Sequence, residues 1–434
     1  MLSCLWHKGW PKNAHGCIGK HTRLHRQTHT AAKANAPCCI KRGKGFERFE
    51  EFERLERLEG VEGLNAKQAR PKGAEAHAVV YSFTRQLVYS STRQLVNFNK
   101  KNETNYFVVS SVYINFAITY KSTDMRKVIG IGETVLDIIF KDGKPIEAVP
   151  GGSAFNAMIS LGRAGINTTF ISEAGNDRIG QYVISFLKDN GVNADNVNVF
   201  PDSKSPISLA FLDENNNADY IFYKDHPHDQ LEFVYPEINR DDIVVFGSFF
   251  SINPVVRPQV GGFLEYAHNH GAILYYDVNY RSSHKHEIMK ITPNLIENLE
   301  YSDIVRGSDE DFGILYRMPD ADKVYQAEIS FYCKKFICTR GANPIIVRAN
   351  KTFRKEYPTA ETQVVSTIGA GDNFNAGFVF GLIHENITRD DIDNGLSEAQ
   401  WDKLISYGQR FSAECCKDIY NFVSPEFGER MRKE

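Results

Sequence analysis

The run Ser366-Thr367-Ile368-Gly369-Ala370-Gly371-Asp372-Asn373-Phe374-Asn375-Ala376-Gly377 holds the residue types that phosphoryl transfer needs. A β-branched pair, Val364-Val365, leads as a strand end into a glycine-bracketed turn. The turn is expected to open a helix with Asp372 in its first turn. Glycines there let backbone N–H groups approach an anion closely, and a helix N-terminus adds its partial positive charge. A carboxylate beside such a cradle has no evident structural duty. It suits a base, Asp372 taking the proton of a hydroxyl that attacks a phosphate.

Four further segments put polar side chains where predicted strands end. The first strand is followed by Gly132-Glu133 and, after Thr134-Val135-Leu136, by Asp137. Pro150-Gly151-Gly152-Ser153-Ala154-Phe155-Asn156-Ala157 is a glycine turn opening a helix, with Asn156 in its first turn. Another strand ends in Asp277-Val278-Asn279-Tyr280-Arg281, and a fourth in Thr339-Arg340-Gly341. Singly, each has an ordinary reading: a turn, a helix cap, a solvated surface charge. Gathered at one edge of one sheet, they outline a ligand cleft.

The elements that must position them follow an α/β pattern from residue 125 onward. Apolar runs at Lys127–Ile131, Thr168–Ser172, Ile243–Phe246, Ile273–Asp277, Ile304–Arg306, Phe336–Thr339 and Ile345–Val347 read as buried strands. Helical stretches separate most of them, Phe155–Arg163 and Tyr182–Asn190 among them. Pro206–Leu212 and Ala218–Lys224, flanking Asp213-Glu-Asn-Asn-Asn217, read as a hairpin. Such alternation predicts a mostly parallel sheet with helices on both faces, and ligands gather at the carboxyl ends of its strands.

Composition bounds the rest. The chain has 434 residues and a net charge of −3, which points to neither nucleic acid nor membrane. That average hides an asymmetry: residues 1–124 hold 20 Lys+Arg against 10 Asp+Glu, the remainder 31 against 44. Gly45 to Leu64 repeats every three residues, a period matching neither helix nor strand, and Tyr81–Val88 is copied almost unchanged at Tyr89–Val96. Residues 1–124 are therefore expected to be a disordered or spurious extension ahead of Met125, with the folded domain at 125–434. Cys4, Cys17, His21 and His25 lack the close cysteine spacing of a zinc finger. Cys333, Cys338, Cys415 and Cys416 are sparse enough to read as reduced thiols. No apolar run reaches membrane-spanning length, and no basic-then-apolar leader opens the chain, so a cytoplasmic location is expected.

Two of these segments, in this order and separation, resemble the signatures of the ribokinase-like (PfkB-type) sugar kinases. They are Pro150–Ala157 running to Gly162-Arg163-Ala164-Gly165, and Thr367–Asp372. The resemblance covers 125–434. It implies a three-layer α/β fold, a mostly parallel central sheet with helices on both faces, and a small β lid over the sugar. The lid would draw on parts of 138–150 and 206–225.

The resemblance also assigns roles. Asp372 is implied as the base, with the amides of Gly369, Ala370 and Gly371 as the anion hole. Asp137, Gly151, Gly152 and Asn156 fall where sugar hydroxyls bind. Thr339 and Gly341 match a Thr-x-Gly nucleotide segment, with Ser308 also on the nucleotide side. Asp277, Asn279 and Arg281 match an Asp-x-Asn-x-Arg stretch beside the phosphates or substrate, where Arg281 offers a planar fork to phosphate oxygens. ATP and Mg2+ are the implied cofactors, and a free sugar, fructose or a similar hexose, the implied acceptor. A 2-keto-3-deoxysugar, ribose or nucleoside kinase is the alternative, as is a non-catalytic binding module of the same fold. For an acid sugar, His226 and His228 are candidate contacts near the hairpin's end.

Two departures stand out. Ser366 replaces an acid often tied to a monovalent-cation site, which leaves potassium dependence open. The family's Asn-x-x-Glu appears as Ser308-Asp309-Glu310-Asp311, leaving Asp311 a water-mediated magnesium role with Glu310 as its neighbour alternative. Exposed lid-strand edges suggest a homodimer.

Overall fold

Strands form where β-branched and aromatic residues run unbroken, and helices where apolar residues recur at helical spacing. The computed structural model describes residues 126–214, 218–224 and 234–434, all in the second of the chain's two units, Tyr106–Glu434. Expectations for residues 1–124, His226 and His228 lie outside the described residues.

Chain order begins with β1 (Val128–Ile131), β2 (Val135–Lys141), β3 (Lys144–Gly151), α1 (Ser153–Arg163), β4 (Thr168–Gly175) and α2 (Arg178–Asp189). Next come β5 (Val192–Asn193), β6 (Val197–Phe200), β7 (Ile207–Leu212), β8 (Ala218–Tyr223), β9 (Ile243–Gly247) and α3 (Arg257–Asn269). Then follow β10 (Ile273–Asp277), α4 (Ile288–Tyr301), β11 (Ile304–Ser308), α5 (Asp309–Tyr316), β12 (Lys335–Arg340), β13 (Asn343–Ala349) and β14 (Phe353–Tyr357). The last long helices are α6 (Ala370–His384), α7 (Glu398–Cys415) and α8 (Pro425–Lys433).

The large sheet runs β14-β13-β12-β11-β10-β9-β1-β4-β5, with β6 also on β4. Every pairing from β12 to β5 is parallel; β13 and β14 close one edge antiparallel. Side chains alternate faces along a strand, so each strand feeds two cores. Ile243, Val245, Ile273 and Tyr275 enter one, with Phe155, Phe378, Trp401 and Phe427 of α1, α6, α7 and α8. Val244, Phe246, Leu274 and Tyr276 enter the other, with Phe263, Leu295 and Phe312 of α3, α4 and α5. This is the expected three-layer arrangement.

A second sheet, in the order β3-β2-β7-β8, forms the lid. β2 and β7 are parallel, while β3 and β8 flank them antiparallel. Asp137, Ile139, Ser208 and Ala210 are buried on its inner side.

Three expectations need adjustment. The helix read from Tyr182 begins four residues earlier, because Asp177 caps it by accepting from Gly180 N at 2.8 Å. Asp137 lies within β2, on the lid, rather than on a connection after the first strand. Val364-Val365 form no strand: the amides of Val365 and Ser366 donate to the Cys416 carbonyl, at 2.8 and 3.3 Å. Among the described residues, no helix is long and apolar enough to cross a membrane.

Candidate active site

Two helix N-termini meet at the centre of the cleft. Gly369 caps α6 at φ 76°, a left-handed conformation that glycine adopts freely. A side chain there would also stand 2.6 Å from the Asn421 carbonyl. Asp372 follows in the first turn of α6, 8% exposed. Gly152 caps α1 at φ 130°, where an added Cβ would sit 2.2 Å from the Glu133 carbonyl. Both glycines are fixed by backbone approach, so both turns keep their shape.

The two turns are joined through Asp372. Ser153 Oγ donates to its Oδ1 at 2.7 Å, and Asn156 Nδ2 to its Oδ2 at 2.8 Å. Burial pushes Asp372 up to about 6, against the Asn156 bond; the Asp277 charge adds to the rise, while Ser153 and the Arg281 charge oppose it. A carboxylate titrating there is ionised at neutral pH yet basic enough to take a proton.

On the lid side, Asp137 accepts from Ser208 Oγ and, at 3.2 Å, from Asn421 Nδ2. Burial pushes it up to about 6, against the Ser208 and Asn421 bonds, with Glu133 adding to the rise. Gly151 has no room for a side chain, because Asp137 Oδ2 lies 2.6 Å from where its Cβ would be. Tyr220, on β8, roofs this space. Burial raises its hydroxyl, and the charges of Asp137, Arg281 and Asp372 all act on it. Where the lid meets the sheet, Lys224 pairs with Glu133 at 2.8 Å.

The other side of the cleft is organised by a residue outside both motifs. Arg306, on β11, is 6% exposed; its Nη1 meets Asp277 Oδ1 at 2.9 Å and its Nη2 meets Thr339 Oγ1 at 2.6 Å. Burial works against its charge, but Asp277 holds it protonated, above the ordinary guanidinium range. Its guanidinium packs 2.9 Å from the Cβ position of Gly371, directly behind the turn that opens α6. Asn375 Nδ2 donates to Asp277 Oδ2 at 2.8 Å, and Tyr275 OH to Asn375 Oδ1 at 2.9 Å. Asp277 is thus tied into the protein. Asn279 adopts φ 33° beside it. Arg281 is exposed, and its guanidinium has no ion pair among the described residues. Gly341 turns at φ 56° with open space around it.

Asp311 is occupied by the start of α5. Its Oδ2 accepts from Ser308 N at 2.6 Å and Ser308 Oγ at 2.8 Å, and its Oδ1 from Tyr280 N at 2.8 Å. Glu310 faces solvent. Among the described residues, no group of three His, Cys, Asp or Glu side chains could hold a metal ion. The carboxylates present therefore do not build a cage for a bare Mg2+. Ser366 Oγ accepts from Ile368 N at 3.2 Å and so shapes the turn in place of an acid.

The structure brings Asp372, Asn156, Gly151, Gly152 and Asp137 together, with Arg281 within electrostatic reach. Ser153, Ser208, Tyr220, Arg306, Asn375 and Asn421 join them without having been singled out. A charged residue at the end of the apolar run Ile304–Arg306 was one available signal.

The model for pfkB family carbohydrate kinases matches residues 125–418. The chain belongs to this family. As a pfkB kinase it is an ATP-dependent carbohydrate kinase. It is similar to a 5-dehydro-2-deoxygluconokinase of Geobacillus thermodenitrificans, 29% identical over 250 residues, covering 54% of this chain and 72% of the relative. One from Bacillus thuringiensis is 27% identical over 247 residues, covering 54% and 73%. Among solved structures, the aminoimidazole riboside kinase of Salmonella enterica, complexed with aminoimidazole riboside and an ATP analog, gives a TM-score of 0.59. It is 20% identical, with 71% of this chain and 99% of that chain covered. Vibrio cholerae fructokinase, with fructose, ADP and calcium bound, gives 0.60 at 19% identity, covering 69% and 96%. These likenesses show the fold.

Proposed function

We propose that this pfkB kinase transfers the γ-phosphoryl group of ATP to a primary hydroxyl of a keto sugar. Asp372 takes the hydroxyl's proton as its oxygen attacks phosphorus. The amides of Gly369, Ala370 and Gly371 face the charge that develops on the transferring group. The observation that carries this reading is Asp372 itself: buried, hydrogen-bonded on both oxygens, and raised to about 6 in the first turn of α6. A binding module has no use for a carboxylate tuned in that way.

Asp137, Gly151 and Gly152 supply the sugar side under Tyr220. Thr339 and Gly341 line the nucleotide side, with Ser308 beside them, and Arg281 is placed to meet phosphate oxygens or a sugar carboxylate. Magnesium belongs on the ATP phosphates with its own water shell. We place the enzyme in the cytoplasm, where ATP is supplied.

Both curated relatives described above are named for 5-dehydro-2-deoxygluconate, a keto sugar carrying a carboxylate, and the exposed guanidinium of Arg281 suits that charge. We therefore rank this acid sugar first. Fructose is the second reading, favoured by the likeness to a fructose-bound fructokinase. Sugar-dependent ADP release by the full chain, measured against both sugars, ribose and a nucleoside, separates them. The expected order is acid keto sugar, then fructose. A higher kcat/KM on fructose would reverse the ranking, and no sugar-dependent ADP with any acceptor would overturn the assignment.

The lid supports a homodimer. Its outer face carries Ile138, Phe140, Leu209, Phe211, Ile221 and Tyr223, with Ile221 45% and Tyr223 55% exposed. An apolar sheet face of this kind is a partner surface, and a second copy would cover it with the same residues. Sedimentation should give a dimer for the full chain and a monomer for Ile221→Lys. A monomeric parent chain at micromolar concentration would contradict this.

A further inference from the structure

Ser153 lies in the glycine motif, yet neither the fold nor the sugar site accounts for its hydroxyl. Its Oγ is 2.7 Å from Asp372 Oδ1 and 3.4 Å from Asp277 Oδ2. One hydrogen faces two carboxylates, and the nearer receives it. Asn156 is different. A carboxylate only accepts, so the amide must present Nδ2 to Asp372 Oδ2, and that group can only donate. A protonated Asp372 would therefore carry its hydrogen on Oδ1, the side of Ser153. Asp277 is held as a fixed acceptor by Arg306 at 2.9 Å and Asn375 at 2.8 Å.

We propose that Ser153 is a positioning residue for the base: its hydroxyl donates to the Asp372 carboxylate before phosphoryl transfer and turns to Asp277 once Asp372 is protonated. This rests on Asp372 being the base. In the transfer, the sugar O–H bond breaks and its oxygen forms the new bond to phosphorus. The bond from phosphorus to the ADP oxygen breaks, with its electron pair leaving on ADP, and the proton becomes the Asp372 Oδ1–H. The Ser153 O–H bond stays intact throughout and only rotates. As the sugar phosphate leaves, the acid hydrogen turns to the Ser153 oxygen, whose lone pair the rotation has freed. The base thus has a hydrogen-bond partner in both protonation states, and the partner sits on one helix terminus already fixed by Gly152.

The test is the pH dependence of kcat for the full chain and for Ser153→Ala, with ATP and the best acceptor of the sugar panel. Removing a donor from a carboxylate favours its protonated form. The acid limb should therefore move upward by roughly half to one pH unit, and kcat should fall roughly tenfold. KM values for ATP and sugar should change by less than about twofold, since a positioning role leaves ground-state binding in place. Ser153→Cys keeps the volume with a weaker donor and should shift the limb the same way, which serves if the alanine variant does not fold. A folded variant of either kind with the parent's acid limb would overturn the proposal, as would a loss confined to KM. Asp372→Asn run alongside separates the two levels. If it turns over normally, the base assignment fails; if it is inactive while Ser153→Ala keeps the parent limb, this inference alone fails.

Discussion

Asp372→Asn should lower kcat by roughly a thousandfold while leaving KM for sugar and ATP within a few-fold. The substitution keeps size and shape, and the asparagine can still accept from Ser153 or Asn156 through its one carbonyl oxygen. What it cannot do is take a proton from the attacking hydroxyl. Because that carboxyl is buried, it is raised to about 6, and its free energy of protonation is matched to neutral pH. An ordinary exposed aspartate would be a weaker base at the same pH. The measurement is steady-state ADP release under saturating ATP and sugar, with thermal unfolding of the variant as control. A folded variant with parent-level kcat would remove Asp372 from the chemistry.

Arg306→Met should be the most destabilising single change at the site, costing about 3–5 kcal/mol of folding free energy. Arg306 and Asp277 are both buried, 6% and 2% exposed, and their ion pair spans β10 and β11. Removing the guanidinium leaves Asp277 buried with Asn375 as its main remaining partner, and strips Thr339 of its donor. Activity should fall as well. The Asp277 charge already raises Asp372, and without Arg306 to balance it that effect grows. Chemical denaturation of the parent, Arg306→Met and the Arg306→Met/Asp277→Asn double variant gives the check. The double variant should recover part of the loss, because it no longer buries an unpaired charge. A single variant within about 1 kcal/mol of the parent would show that the pair is not what holds these strand ends.

Much of the fold could be read from periodicity alone. The central strands β1, β9 and β10 are short runs of Val, Ile, Leu, Phe and Tyr buried on both faces, the pattern of a parallel sheet between helix layers. The lid hairpin was also legible, since the runs that form the antiparallel pair β7 and β8 flank the acidic-amide sequence Asp213-Glu-Asn-Asn-Asn217. Val364-Val365 misled because β-branched residues report a preference for extended backbone and say nothing about a neighbouring strand. The Val365 amide, with that of Ser366, donates to a helix-end carbonyl instead.

Within the site, the residues that glycine motifs bracket were visible: close backbone approach demands glycine at 152 and 369, and the Asp137 carboxylate crowds position 151. The partners were not. Asn421 reaches Asp137 across 284 positions and Arg306 reaches Thr339 across 33, separations that no local pattern encodes. Asp311 illustrates the converse. Its place in a recognised motif suggested a water-mediated magnesium role, and no local pattern announced that its two oxygens also accept from Ser308 at the cap of α5 and from the Tyr280 amide.

The measurement closest to the central claim is the pH profile of kcat for the full chain beside that of Asp372→Asn. The parent should show an acid limb centred at about pH 6, rising to a plateau as Asp372 ionises. The residual rate of the asparagine variant should lack that limb. A parent profile flat from about pH 5 to about pH 8, or an acid limb that survives the substitution, would contradict the assignment of Asp372 as the base.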